Sequence, residues 1–580
     1  MTVADGAVFQ QLRNVMSGTS RLTKAGPGTL DLQRVTGTGF SGGLTLEEGL
    51  LVVQNDTGNS PGATPLGTGT FTIAGGTISS GRGQGASLTM PSRFDGSFSV
   101  DGYTTGTTNF NLGSGTVTLG VDNPTVNVAN AAITFTVGGP IVGGANGLTK
   151  SGPGQMTLTG SSTYTGLTTV SSGTLQLGSN GTTGSVDGDI ANNAMLVFNR
   201  SNAQTYGGVI SGSGNLRKLQ SATLTLNGVN TFSGTTTVTG VISLGNASAL
   251  QNSGIDTAGA GTITAPSVQS SLTIGGLIGS KNFSSVFTTN LTGLNSLTLN
   301  PQAGRSFSYS GVIANRTSGT TALTKTGAGE QILSAVNTYT GLTTVSAGRL
   351  TIGGGNINAS SGVTVNGAGA EFRYNSATAF NKTLTLTQGI LSGTGTIQTA
   401  VTVGSNAIIS PGNSPGSQTY DSSVWQVGGT YLWELNALTG AAGTQWDKVV
   451  VSGLLNLTEL STSNKFIIDL TTLTGSNTNG PLDSAYVSGP TYIFPFVDFG
   501  SLAVPVGFTS GSNSDLTALF NFNLDNWLGT PKPSSSDISV KVNSGGTGLN
   551  LVIVPEPATI ALAGIGIGTA VWFFRRRRAA

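Results

Sequence analysis

Short segments in which apolar and polar residues strictly alternate recur along the whole chain. Thr116-Val117-Thr118-Leu119, Met156-Thr157-Leu158, Leu175-Gln176-Leu177, Leu224-Thr225-Leu226, Leu297-Thr298-Leu299, Leu384-Thr385-Leu386 and Val401-Thr402-Val403 all repeat with a period of two. That period puts every second side chain on one face of a pleated strand, so each segment predicts a half-buried strand. Leu158, Leu175 and Leu226 are expected to face inward. Thr is the usual outward partner, a β-branched residue that suits a pleated surface without adding charge. Clusters such as Gly143-Gly144-Ala145-Asn146-Gly147 separate the strands. Gly and Asn supply the positive φ that tight corners need.

A larger unit is superimposed on this alternation. It begins at Leu22-Thr23-Lys24, Leu148-Thr149-Lys150, Leu216-Arg217-Lys218 and Leu323-Thr324-Lys325. After each Lys comes a turn: Ala25-Gly26-Pro27-Gly28, Ser151-Gly152-Pro153-Gly154, the degenerate Leu219-Gln220-Ser221-Ala222, and Thr326-Gly327-Ala328-Gly329. An aromatic, a small polar residue and Gly come next, as Tyr164-Thr165-Gly166, Phe232-Ser233-Gly234 and Tyr339-Thr340-Gly341, each aromatic lying 14 positions after its Lys. In the first copy Phe40-Ser41-Gly42 lies 16 after. A second turn residue, Gly49, Gly173, Gly240 or Gly348, precedes the closing strand. The four blocks span residues 18–53, 144–179, 212–246 and 319–354.

These ordered landmarks resemble the autotransporter-associated β-strand repeat, a Gly-rich module of long bacterial surface passenger domains. The resemblance implies an all-β fold, a right-handed parallel β-helix or β-solenoid. Strand geometry favours the same stacking. Each strand of such a coil pairs with the strand one turn above at ~4.8 Å, and every turn buries its inward Leu, Val and Ile against the next. We expect this solenoid over residues 1–420. From residue 421 to 553 Trp, Phe and Pro become denser, and a terminal β cap is expected there.

Composition narrows the chemistry. Gly supplies 90 of 580 residues and charged side chains only 8%, against a usual ~7% and ~25%. So much Gly disfavours helix interiors by roughly 0.8 to 1.0 kcal/mol each relative to Ala. With neither Cys nor His in the chain, disulfides, thiol nucleophiles, Ser-His-Asp triads and imidazole or thiolate metal sites are excluded. Net charge is +1, and setting aside a C-terminal Arg cluster leaves a slight acidic excess. Nucleic acid is therefore not an expected partner. No cofactor is expected either.

Residues 554–580 carry the clearest functional signal. Pro555, Glu556 and Pro557 precede an apolar stretch, residues 558–574, and then Arg575, Arg576, Arg577 and Arg578. Seventeen residues in a helix span about 25 Å, just enough for a bilayer crossing, with the basic tail 575–580 kept in the cytoplasm. This order of motif, transmembrane helix and basic end resembles the PEP-CTERM sorting signal of Gram-negative, biofilm-forming bacteria. The resemblance implies recognition by exosortase, a membrane-embedded protease thought to cut near the motif. It further implies export, transient membrane anchoring, and then release to or retention at the cell surface, with exopolysaccharide as a further partner. Residues 1–20 lack the basic and apolar regions of an export signal, and Lys24 already belongs to a repeat, so an upstream start is expected.

Catalytic candidates are few. Parallel β-helices can carry polysaccharide lyases and hydrolases, which need several carboxylates on one face. Asp187-Gly188-Asp189 with Asn192 and Asn193 offers clustered oxygen ligands of a kind that hold Ca²⁺, but without a bidentate Glu at fixed spacing. A polar corner is the expected role. Glu47 and Glu48 are neighbours on a strand and so point opposite ways. Arg93 and Asp95 are expected to form a surface ion pair. Lys24, Lys150, Lys218 and Lys325 are expected to line one corner as solvated structural residues. The leading expectation is a non-enzymatic surface or matrix protein, and the alternative is a β-helical carbohydrate-active enzyme.

Overall fold

The computed structural model describes residues 4, 8–10, 17–33, 39–54, 66–81, 86–103, 109–316, 319–482, 490–528 and 532–554. The chain divides into two compact units, Met1–Thr321 and Ala322–Ala580.

Strands of the first unit stack in parallel on strands about one turn further along the chain. One turn consists of Val117–Leu119, Thr125–Val128 and Thr134–Val137, and the next of Ile141–Val142, Leu148–Ser151 and Gln155–Leu158. Val117 pairs with Ile141, Thr125 with Thr149 and Thr134 with Gln155, so each turn contributes one strand to each of three faces. Alternation decides what lies inside. Val117, Leu119, Val126, Val128, Phe135 and Val137 are all buried, as are Leu158, Leu175 and Leu226. This is the expected β-solenoid.

Helix is nearly absent among the described residues. One four-residue α-helix, Phe283–Val286, lies in the first unit, where Phe283 and Val286 are buried. Arg316 closes over it, donating from Nη2 to the Phe287 carbonyl at 2.6 Å and from Nε to that of Leu291 at 3.0 Å. No described helix is long and apolar enough to cross a membrane. The expected span, residues 558–574, and the tail 575–580 lie outside the described residues.

In the second unit parallel stacking continues through residue 420, which falls inside the strand Ser417–Trp425. That strand pairs in parallel with Lys448–Asn456, and that one in turn with Tyr492–Ala503. On another face Thr430–Leu435, Phe466–Thr472 and Phe520–Asn523 stack the same way. The aromatic-rich sequence after residue 420 therefore fills further turns. Trp425 stacks on Phe466 with ring centroids 4.4 Å apart, and Trp433 packs against Phe494 at 5.3 Å. Large rings replace the Leu and Val of earlier turns because the period-two inward positions are kept while their volume grows.

Among the described strands, antiparallel pairing is found at the end of this sheet, beyond a few isolated antiparallel bridges elsewhere. Gly548–Ile553 lies between Tyr492–Ala503 and Ile538–Val542 and is antiparallel to both. Such a hairpin covers the last sheet edge, which an unpaired parallel strand would leave open.

Candidate functional site

The repeated lysines are buried. Lys24, Lys150 and Lys325 are 0% exposed and Lys218 is 3% exposed. Leu148 and Lys150 both point inward with Thr149 between them, and Lys150 occupies a core column between Val126 below and Val170 above. The expectation of solvated lysines is thus corrected, and strand alternation is the reason. Nor do they share a corner. The strands carrying Lys24, Lys150 and Lys218 belong to three different sheets of the first unit, because successive blocks are not separated by whole turns of the coil.

Each ammonium group is satisfied by backbone carbonyls. Lys150 Nζ donates to Ser151 O at 2.7 Å, Gly152 O at 2.9 Å and Ser172 O at 3.1 Å. Lys325 does the same with Thr326 at 2.6 Å, Gly327 at 2.8 Å and Ala347 at 3.0 Å. Lys24 contacts Ala25, Gly26 and Glu48, and Lys218 donates to Leu219 and Gln220. Two acceptors come from the turn just after the Lys; where there is a third, it lies one turn above. Burial lowers the pKa of all four, and those of Lys150 and Lys325 fall to about 8.

Glycine makes room for this arrangement. Gly173 has φ +68°, and a Cβ there would lie 2.4 Å from the carbonyl oxygens of both Gly152 and Gly154. Gly348 repeats the geometry against Gly327 and Gly329. In the degenerate third copy, Gln220 takes the left-handed turn position itself, at φ +55°. The repeat aromatics are buried too. Tyr164 and Tyr339 place their hydroxyls 2.8 Å from Thr168 Oγ1 and Thr343 Oγ1, four residues on. Lys and Gly together form a corner built to hold backbone, and the Tyr hydroxyl is tied to the first residue of the following strand.

The other sequence candidates take structural positions. Asp187 is exposed beside an open polar hollow of about 350 Å³ that Arg200 and Tyr206 also line. Asp189 accepts the Val209 amide at 2.7 Å, Asn192 donates to the Asn215 carbonyl at 2.9 Å, and Asn193 accepts the Ser213 amide at 3.3 Å. These four side chains are not brought to a common point. The carbonyl of Glu48 serves Lys24. Arg93 and Asp95 form their expected pair at 2.6 Å. Among the described residues, no group of three or more Asp or Glu could hold a metal ion.

Two clusters in the second unit escaped the sequence reading. Glu330, Arg349 and Glu371 lie in register on successive strands. Arg349 meets Glu371 at 2.7 Å, and Arg373 meets the same carboxylate at 3.0 Å, where Ser392 also donates. Opposite charges one turn apart were the available signal, visible only once the length of a turn is known. The second cluster is the buried Asp447, whose carboxylate accepts the Gly416 amide at 2.7 Å and the Glu434 amide at 3.1 Å. Burial, and next the nearby Glu434, raise its pKa well above the usual range. It clips one backbone turn to the neighbouring strand.

Pro555, Glu556, Pro557, Arg575, Arg576, Arg577 and Arg578 all lie outside the described residues. The chain is described as far as Val554, whose amide donates to the Asp537 carbonyl at 2.8 Å.

Comparison with known proteins agrees with this anatomy. Residues 22–53, 148–177, 216–240 and 323–352 match the passenger-associated-transport-repeat family, each within a block defined above by its Lys, Gly and aromatic landmarks. Residues 554–578 match the PEP-CTERM protein-sorting motif. A 55-residue stretch is 54% identical to the adhesin BmaC autotransporter of Brucella suis biovar 1 (strain 1330), covering 10% of this chain and 2% of that protein. No solved structure matches the chain. The chain thus carries the passenger-associated transport repeat four times and the PEP-CTERM protein-sorting motif once, the marks of an exported surface protein.

Proposed function

We propose that this protein is a non-enzymatic structural or adhesion-type component of a bacterial cell surface or extracellular matrix, sorted and cut by an exosortase-type protease at Pro555-Glu556-Pro557. The observation that carries the reading is the presence of transport repeats and a sorting motif in one chain. The partial likeness to an adhesin agrees with it. The distribution of charge supports the non-enzymatic part. Glu371 is held by two Arg and a Ser, Asp447 by two backbone amides, and the repeat lysines by carbonyls. What the molecule offers outward is a set of weakly charged, Thr-rich sheet faces, suited to broad contact with matrix polymers such as exopolysaccharide.

In this reading the apolar residues 558–574 hold the motif at the membrane, and Arg575, Arg576, Arg577 and Arg578 stop translocation. Pro555 and Pro557 fix φ near −65° and remove two backbone donors, which keeps the motif extended for a protease. Replacing Pro555-Glu556-Pro557 by three alanines should leave an uncut, membrane-retained protein. Intact-mass measurement on material from cells tests this. A parent protein that keeps Ala580, or a triple-alanine variant released as efficiently as the parent, would refute the assignment.

A further inference from the structure

The strand that leads into the sorting motif is held on both sides. In Gly548–Ile553, Ile553 faces Tyr492 on one neighbour and Ile538 on the other, Val552 faces Ile493 and Ser539, and Leu551 faces Phe494 and Val540. Leu549, Leu551 and Ile553 are 0% exposed. The bonding extends one residue further, through the Val554 amide to the Asp537 carbonyl. The next residue is Pro555. No free chain therefore separates the folded hairpin from the motif.

Proteases that bind substrate as an extended strand use backbone groups on either side of the cut, and here those of residues 548–554, directly before the motif, are already used within a sheet. The three residues 555–557 can reach at most about 10 Å when fully extended. A membrane-embedded protease engaging them meets the hairpin at once. From this we infer that the terminal hairpin gates processing: the motif is cut only while Gly548–Ile553 is out of the sheet, either before the hairpin closes during export or when it opens later. This inference rests on the processing proposed above and adds what regulates it. The cleavage rate then tracks the population of the open hairpin, as for any site reached through local unfolding. Uncut protein in the membrane is folded protein whose hairpin closed first.

The test is a pulse-chase of the full chain in cells that process it, comparing the parent with three variants. In the first, a twelve-residue Gly-Ser linker is inserted between Val554 and Pro555, which leaves the hairpin intact but frees the motif. In the second, Val540→Ala loosens the hairpin from its buried face. The third is the triple-alanine motif variant. The gate predicts cleavage about tenfold faster with the linker and several-fold faster with Val540→Ala. It predicts no cleavage of the third variant. If the linker variant is cut at the parental rate while the triple-alanine variant stays whole, the gate is overturned and processing stands. If the triple-alanine variant is cut like the parent, the processing reading fails and the gate falls with it.

Discussion

At the scale of single residues the buried lysine is the most instructive feature. Leu148-Thr149-Lys150 has the period-two pattern that, for apolar residues, marks a core strand, and the third position is as inward as the first. Reading Lys as solvated gave charge precedence over register. In the folded corner register prevails, because three turn and strand-end carbonyls offer the ammonium a complete set of acceptors. A buried charge persists only where its hydrogen bonds are met, and a buried carbonyl is costly without a donor. Lys150→Met keeps the stem but removes the donor, so it should destabilise the first unit by about 2 to 4 kcal/mol. Thr149→Val, on the outward side of the same strand, should change stability by less than about 0.5 kcal/mol. Chemical denaturation of both variants checks the contrast. If Lys150→Met is as stable as the parent, the carbonyl cage is not what the lysine supplies.

At the scale of elements, the corner depends on glycines as much as on Lys. The alternating segments and the Gly-rich corners between them were legible in the sequence, since period and turn residues are local properties of the chain. The faces were not. Which sheet receives Lys24, Lys150 or Lys218 depends on how the intervening strands and turns add up, whereas the two-residue insertion before Phe40 is absorbed within its own turn, so that Lys24 lies beside Leu46 as Lys150 lies beside Val170. The Glu330, Arg349 and Glu371 ladder was hidden for the same reason. The aromatic positions after residue 420 were visible, but nothing local distinguishes a ring stacked inside a further turn from one in a separate cap. Gly173 makes the dependence on corners measurable. Its positive φ and the two carbonyl oxygens 2.4 Å from a Cβ act together, so Gly173→Ala should cost about 2 kcal/mol or more. Gly181, with nothing within 4 Å of a Cβ and no positive φ, should tolerate Ala at about 1 kcal/mol or less. Melting temperatures of the two variants should therefore separate clearly.

At the scale of the whole molecule, the buried ionisable groups give stability a dependence on pH that an ordinary surface would not. Well below pH 8 Lys150 and Lys325 carry their protons in the folded and unfolded chain alike, and contribute no slope. Between about 8 and the usual 10.5, the folded chain has released protons that the unfolded chain still holds. Stability rises with pH wherever the unfolded state binds more protons, so this window should stabilise the protein. Tyrosine acts in the opposite sense. Burial raises the pKa of Tyr164, Tyr206, Tyr309, Tyr339, Tyr420 and Tyr431 above the usual 10.0. Above that pH the unfolded chain loses phenolic protons that the folded chain keeps, and stability falls. The melting temperature should therefore climb from pH 8, pass through a maximum at about pH 10 and drop beyond it. Replacing both Lys150 and Lys325 by Met should make the rising limb shallower, leaving the part that Lys24 and Lys218 supply, and should leave the falling limb in place. A parent protein whose melting temperature declines steadily from pH 8 upward would show that the lysines keep their protons inside the fold, and that the carbonyl cage outweighs burial.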